Sequence, residues 1–212
     1  MPSLIPLPAA VEWEGAEHTL TEHSTIGCRA GAGPEETGAV RAARLVLSTT
    51  TGLPLPVAEK PDILVGIDTG LPAEGYRLEV RPDGVTIAAA DRRGALWAAQ
   101  TLLQLGGDDV YIAPLGGPVK VVTARIEDVP RFAWRGAMID SARHFLQVAE
   151  ILDFIDWMAR HKLNILHWHL TDDQGWRVAS EHYPLLAEKA SWRPHTVNPT
   201  WGGDGTPHGG CY

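Results

Sequence analysis

Residues 164–176 read NILHWHLTDDQGW, and this stretch gives the strongest indication of the fold. NILHWHL (164–170) is a short apolar run followed directly by polar residues, which is typical of a buried strand. The segment before it, 148–162, has helical period, and 132–143 is strand-like with a polar end. Strand, helix and apolar strand in succession predict a βαβ unit of a parallel sheet. The apolar stripe of the helix comprises Val148, Ile151, Leu152, Ile155 and Ala159.

Polar side chains collect where each of the two predicted strands ends. A right-handed βαβ unit places both carboxyl ends on the same rim, which is where parallel α/β proteins carry their functional residues. Arg143 could fork onto vicinal sugar hydroxyls or onto a carboxylate. The rim residues are Asp140, Arg143 and His144 after the first strand, and His169, Asp172 and Asp173 after the second.

Structural roles are alternatives for the same residues. Asp140 could instead be buried and hydrogen-bonded as a structural part of the strand. Arg143 could instead form a structural ion pair with a nearby aspartate. His144 and His161 could instead be structural or simply exposed to solvent. The run 173–175, Asp-Gln-Gly, has the composition of a simple turn.

The pair of histidines raises the question of a metal site. On a strand, His167 and His169 point to the same face, and Asp172 is near, so a hydrolytic metal centre is conceivable. A catalytic zinc site needs a third protein ligand, and the later histidines follow no strand pattern. We therefore predict from the sequence that the protein binds neither a metal ion nor a cofactor. The later histidines are His182, His195 and His208.

The first 130 residues predict a small α+β domain. Its predicted strands are 62–67, 74–80, 84–90 and 119–128, with hairpin chemistry at 82–84. Its predicted helices are 34–52, which opens with Pro34, and 93–107, which ends at two glycines. The tail 191–212 has no periodicity and is predicted to be loop.

Bulk composition limits the partners. The net charge is −8 and no Lys/Arg run occurs, which argues against nucleic acid. No apolar run reaches the roughly 18–20 residues that span a membrane. The first 15 residues do not resemble a signal peptide, which predicts a cytoplasmic location as written, or secretion if an upstream segment is missing. Cys28 and Cys211 are predicted to be two free thiols, with a disulfide between them left open.

Several motifs together resemble glycoside hydrolase family 20, the β-N-acetylhexosaminidases. In the barrel region they are RGAMIDSARHF (135–145), KLNILHWHLTDDQGWR (162–177) and YPLL (183–186). EGYRLEV (74–80) and the following segment 84–105 are similar to the small domain that precedes the barrel in this family. RIEDVPRFAWRG (125–136) resembles the junction, and HGGCY (208–212) a loop after the second barrel strand.

The resemblance implies a fold and an activity. It implies an α+β domain over 1–130, followed over 131–212 by about two units of a (β/α)8 barrel. It implies removal of terminal β-linked N-acetylglucosamine or N-acetylgalactosamine, with the substrate's own acetamido carbonyl as the nucleophile. Within that pattern Arg143 binds sugar hydroxyls, and Asp172 supports a histidine that communicates with the acid/base. His167 and His169 are then predicted to be strand residues, with His169 as a candidate to line the substrate pocket.

The chain departs from the family pattern in one respect. The family's central work is done by an adjacent Asp–Glu pair: Asp orients the acetamido group and Glu protonates the leaving oxygen. No Asp-Glu dipeptide occurs in this sequence. Residues 131–212 are also far fewer than the roughly 250 of a full barrel. We therefore expect a catalytically incomplete, amino-terminal portion of such an enzyme, with amino-sugar glycans as partners. The alternatives are a non-catalytic carbohydrate- or protein-binding fragment and a metal-dependent barrel hydrolase.

Overall fold

The structure is a computed structural model that describes residues 2–112, 115–194, 196–197 and 207–208. The chain divides into two compact units, Met1–Ala133 and Trp134–Tyr212. The boundary predicted from the sequence lies between residues 130 and 131. Among the described residues, no helix is both long and apolar enough to cross a membrane.

Unit 1 is built on a six-stranded mixed sheet. Its strands are β1 (Ala10–Leu20), β2 (Ile26–Gly27), β3 (Ile63–Ile67), β4 (Tyr76–Arg81), β5 (Gly84–Ala89) and β6 (Val119–Asp128). Their order is β1-β6-β4-β5-β3-β2. The pairs β1–β6, β6–β4 and β4–β5 are antiparallel, whereas β5–β3 and β3–β2 are parallel. Arg81 pairs with Gly84, which confirms the predicted hairpin.

Two long helices and one short helix complete unit 1. These are α1 (Pro34–Thr51), α2 (Arg92–Gln104) and α3 (Asp109–Ile112). α1 begins with Pro34 at its first turn and ends at Gly52, whose φ of 73° suits glycine. The N-cap Asp91 of α2 accepts hydrogen bonds from the backbone N–H groups of Arg93 and Gly94. α1 and α2 pack together and against the sheet, which encloses one continuous apolar core.

Most predicted elements of unit 1 are confirmed within a few residues, but β1 was not identified from the sequence. The register of β1 against β6 shifts between Trp13 and Glu17. Gly15, with φ 77°, lies in this interruption. A bulge breaks the alternation by which a strand is recognised, so the pattern in the sequence was hidden.

Unit 2 contains the predicted βαβ arrangement. It consists of β7 (Gly136–Asp140), α4 (Val148–Arg160) and β8 (Ile165–His169), and the two strands pair in parallel. A short hairpin follows, formed by β9 (Thr171–Asp172) and β10 (Gly175–Trp176), and then α5 (Pro184–Glu188). The residues that the structure describes form partial βα units and no closed barrel.

The prediction of an all-loop tail is wrong at four residues. β11 (Thr196–Val197) and β12 (Pro207–His208) form a short antiparallel pair. Strands of two residues are too short to show periodicity, so they cannot be predicted from a pattern in the sequence. Cys28 is a half-buried free cysteine. Cys211, and with it the question of a disulfide, lies outside the described residues.

Candidate functional site

The site begins where β7 ends. Asp140 is the last residue of β7 and pairs in register with His169, the last residue of β8. One carboxylate oxygen of Asp140, Oδ1, accepts the backbone N–H groups of Ala142 at 3.1 Å and Arg143 at 3.0 Å. These bonds curl the chain into a turn after the strand. The turn brings Arg143 Nη1 to 2.7 Å from the other oxygen, Oδ2.

The hairpin after β8 supplies the second carboxylate. Asp172 ends β9, and its Oδ2 lies 3.0 Å from Arg143 Nη2. Its Oδ1 accepts the backbone N–H of Asp173 at 2.7 Å. The run 173–175 turns tightly, since Asp172 pairs with Gly175 across the hairpin. The Arg143 guanidinium is therefore held between an aspartate of each strand end, and the side chain is still 48% exposed.

His169 connects the same two carboxylates. Its Nδ1 lies 3.4 Å from Asp140 Oδ2, and its Nε2 lies 3.2 Å from Asp172 Oδ2. Nε2 also lies 3.1 Å from the carbonyl oxygen of Thr171. A carbonyl only accepts, so Nε2 carries a proton. Asp140, Arg143, His169 and Asp172 form one group, called here the rim cluster.

Electrostatics keep both aspartates of the rim cluster ionised. Partial burial acts to raise the pKa of Asp140, but hydrogen bonds and positive charge from Arg143 outweigh it, so the pKa lies below its ordinary value. The hydrogen bond from the Asp173 backbone lowers the pKa of Asp172, and Arg143 adds to this effect. The hydrogen bond to Asp140 in turn raises the pKa of Arg143.

The rim cluster has both donors and acceptors available to a ligand. Guanidinium carries five N–H groups; that of Arg143 donates one hydrogen bond to Asp140 and lies in ion-pair contact with Asp172. The remaining N–H groups and the carboxylate oxygens match vicinal hydroxyls, which both donate and accept hydrogen bonds. This chemistry favours an uncharged, hydroxyl-rich ligand.

The other rim residues predicted from the sequence lie at exposed positions. His144 and Asp173 are exposed, as is His167. The ion pair between Arg143 and Asp140, considered as a structural alternative, is present alongside the contact with Asp172. Among residues 2–112 and 115–194, no group of three or more His, Cys, Asp or Glu side chains is arranged to hold a metal ion. His182 is exposed, and His195 lies outside the described residues.

Two arginines near the cluster were missed by the sequence analysis. Arg177 and Arg193 donate to backbone carbonyl oxygens of the turn that carries Arg143. Their partners are main-chain atoms, which every residue has, so no residue pattern could point to them.

Comparison with protein families identifies the chain. The model described as glycosyl hydrolase family 20, domain 2, matches residues 1–129. The model described as the catalytic domain of the same family matches residues 132–212. The chain belongs to glycosyl hydrolase family 20. The resemblance drawn from the rim motifs and the small domain is thereby confirmed.

Individual members of family 20 are similar along most of this chain. A β-hexosaminidase of Porphyromonas gingivalis is 35% identical over 99% of the chain, which covers 27% of that protein. The exo-β-N-acetylglucosaminidase of Vibrio harveyi, solved with N-acetylglucosamine, superposes with a TM-score of 0.79. It is 32% identical, and the match covers 90% of this chain and 29% of that one.

A third member gives the same picture. The N-acetyl-β-hexosaminidase of Streptomyces plicatus, solved with Thio-NAglucal, has a TM-score of 0.77 and 37% identity. The match covers 98% of this chain and 41% of that one. The present chain thus spans between about a quarter and two fifths of the length of these family 20 proteins.

Proposed function

We propose that this protein takes part in the hydrolysis of terminal, non-reducing β-linked N-acetylglucosamine or N-acetylgalactosamine, with the rim cluster forming part of the sugar site. The observation that carries the proposal is the placement of Arg143. Its half-exposed guanidinium is fixed between Asp140 and Asp172 at the carboxyl ends of two parallel strands. Membership of family 20 supplies the substrate class.

Each rim residue has a proposed role. Arg143 binds sugar hydroxyls through the N–H groups that the two aspartates leave available. Asp172 anchors Arg143 and supports a histidine of the active site. His169 lines the sugar pocket and links the two aspartates, which lie 3.4 Å and 3.2 Å from its ring nitrogens. The proposed mechanism is substrate-assisted and retaining, with the acetamido carbonyl as the nucleophile.

We expect these 212 residues to be inactive on their own. The proposed mechanism requires one carboxyl group to orient the acetamido group and a second to protonate the leaving oxygen. In this family those groups are an adjacent Asp–Glu pair, and the sequence contains no such dipeptide. The rim cluster cannot replace the pair, because the pKa values of Asp140 and Asp172 are both lowered. A general acid must hold its proton near neutral pH.

A second candidate function, sugar binding without cleavage, follows from the same observations. The rim cluster supplies hydroxyl-binding groups, whereas the cleaving groups are not in the sequence. Such binding should be weak, because few contacts define the sugar. The metal-dependent hydrolase considered above has less support, since both ring nitrogens of His169 face carboxylate oxygens.

The test is an assay of the purified chain with an aryl N-acetyl-β-glucosaminide. We expect no turnover above the rate of a sample that carries Arg143→Ala together with Asp172→Ala. Turnover that is lost in this double variant would overturn the incompleteness of the site while supporting the substrate class. Turnover that persists in the double variant would show that the rim cluster is not the sugar site.

A further inference from the structure

The turn Ser141–Arg143 has every backbone polar group satisfied. The N–H of Ser141 donates to the carbonyl oxygen of His169 at 3.0 Å. The N–H groups of Ala142 and Arg143 donate to Asp140 Oδ1. On the opposite side, the three carbonyl oxygens accept hydrogen bonds from two guanidinium groups, those of Arg177 and Arg193. These two side chains therefore bind the main chain that carries Arg143, not its side chain.

Arg177 contacts the first two residues of the turn. Its Nε donates to the Ser141 carbonyl oxygen at 2.9 Å, and its Nη2 to that of Ala142 at 3.3 Å. Its Nη1 donates to the carbonyl oxygen of Ser191, and the guanidinium lies 5.4 Å from the centre of the Phe145 ring. No described carboxylate pairs with Arg177, and burial lowers its pKa. The Arg177 guanidinium thus donates to three carbonyl oxygens and pairs with no described carboxylate. This arrangement indicates that Arg177 holds the main chain in position.

Arg193 continues the same arrangement along the turn. Its Nη2 donates to the Arg143 carbonyl oxygen, and its Nη1 lies 3.4 Å from that of Ala142. Nη1 also donates to the carbonyl oxygen of Gln174 at 3.0 Å. Gln174 belongs to the hairpin that carries Asp172. Arg193 thus ties the turn with Arg143 to the hairpin with Asp172.

Gly175 provides an independent sign that this region is closely fitted. A Cβ added at Gly175 would lie 2.6 Å from the Ala142 carbonyl oxygen and 2.8 Å from Arg177 Nη2. Both distances are shorter than carbon makes with such atoms. The hairpin, the turn and the Arg177 guanidinium therefore approach each other as closely as a glycine permits.

We propose that Arg177 and Arg193 are positioning residues, which hold the Ser141–Arg143 turn so that the Arg143 guanidinium lies between Asp140 and Asp172. Removal of Arg177 leaves the Ser141 carbonyl oxygen without its donor, and removal of Arg193 does the same to the Arg143 carbonyl oxygen. In either case the turn relaxes. A shift of the turn moves Arg143 relative to both carboxylates. Arginine suits this task because its planar fork of donors reaches several acceptors at once, which the single ammonium of lysine does not.

The test is a carboxyl-carbon NMR titration of Asp140 and Asp172 in the full chain. Arg143→Gln should raise both pKa values towards the ordinary value of about 3.9. Arg177→Gln and Arg193→Gln should each raise them in the same direction, by about half of that shift or more. Combining Arg177→Gln with Arg143→Gln should add little to the effect of Arg143→Gln alone, because Arg177 acts on the two aspartates through Arg143.

A matched control comes from the opposite end of β7. Arg135 also binds a backbone carbonyl oxygen through its guanidinium, that of Lys162 at 2.7 Å, at the start of the strand. Arg135→Gln should leave the pKa values of both rim aspartates unchanged even if it lowers the stability of unit 2. Arg177→Lys keeps the charge but loses the fork, so it should behave like Arg177→Gln.

Several outcomes would overturn the positioning role. One is that the pKa values of Asp140 and Asp172 stay at their wild-type values in Arg177→Gln and Arg193→Gln, although Arg143→Gln shifts them. Another is full retention in Arg177→Lys, which would assign the effect to charge. If Arg177→Gln fails to fold, Arg193→Gln and Gly175→Ala carry the same test.

The role in sugar binding rests on the proposed function, but the titration is made without sugar. A wild-type chain that binds no N-acetylglucosamine would remove the proposed function and leave the carboxyl result standing.

Discussion

Two helices of equal length, one in each unit, differ in how much of their surface is buried. α2 in unit 1 and α4 in unit 2 each have 13 residues. Nine residues of α2 are buried, whereas only Ile151 and Met158 are buried in α4. Yet α4 has the clearer apolar stripe. An apolar stripe shows which face of a helix is able to be buried, and the partners present decide whether it is.

The surroundings of the two helices account for the difference. α2 packs against α1 and against the strands β4 and β5 of a six-stranded sheet. Among the residues that the structure describes, α4 packs in a unit whose central sheet consists of β7 and β8. As a result, Val148 is 72% exposed and Leu152 is 56% exposed although both lie on the predicted stripe. Unit 1 should therefore depend on its apolar packing far more than unit 2 does.

The largest expected effect tests this contrast with one substitution in each unit. Leu78 on β4 is 1% exposed, so Leu78→Ala removes buried surface and leaves a cavity. It should lower the free energy of unfolding of unit 1 by about 2–5 kcal/mol. Leu152→Ala is the matched change in unit 2 and should cost less than about 0.5 kcal/mol. Urea unfolding, monitored by amide hydrogen exchange within each unit, measures the two changes in the free energy of unfolding. Equal losses in the two units would contradict the predicted difference.

A smaller effect is expected at the start of α2. Asp91 accepts the backbone N–H groups of Arg93 and Gly94 at 2.8 Å and 2.9 Å. Asp91→Ala should cost unit 1 about 0.5–2 kcal/mol. Asp91→Asn keeps an acceptor at the cap and should cost less. Thermal unfolding of the three proteins gives the order, and an Asn variant as unstable as the Ala variant would contradict the cap as the cause.

Asp91 also predicts a dependence on pH. Burial acts to raise the pKa of Asp91, but hydrogen bonds from Gly94, Glu74 and Arg93 outweigh it, so the folded-state pKa is lowered. The resulting stability is present above the unfolded value of about 3.9 and is lost as the pH falls through the folded value. Wild-type unit 1 should lose stability in this window more steeply than Asp91→Asn. Parallel pH profiles would rule this out.

The smallest effect concerns the rim cluster, since its ion pairs are partly exposed to solvent. The lowered pKa of Asp140 adds stability to unit 2 above about pH 4 that disappears at lower pH. Arg143→Gln should flatten that dependence. Hydrogen exchange of the β7 and β8 amides between pH 3 and pH 6 measures it. A variant with the wild-type slope would show that Arg143 does not set the ionisation of Asp140.

The same contrast explains what the sequence could predict. The sequence predicts that the two strand ends share one rim, because parallel strands have their carboxyl ends on the same side. The residues predicted for that rim are Asp140, Arg143, His144, His169, Asp172 and Asp173. The contacts of His169 with both carboxylates depend on the orientation of its ring, which strand patterns do not encode. Arg177 and Arg193 bind main-chain oxygens, so no residue type in the sequence indicates which partners they contact. The exposure of the α4 stripe depends on which elements are present to cover it.

The most direct test of the account is a titration of the full chain with N-acetylglucosamine, followed through the backbone amide signals of residues 140–143 and 171–173. We predict saturable, weak binding in the millimolar range or above, which shifts these signals and no set in unit 1. Arg143→Ala should weaken it by about tenfold or more, as expected for the loss of charged hydrogen bonds. The control Arg135→Gln should bind like wild type. No binding by the wild-type chain, or equal binding by Arg143→Ala, would contradict the rim cluster as a sugar site.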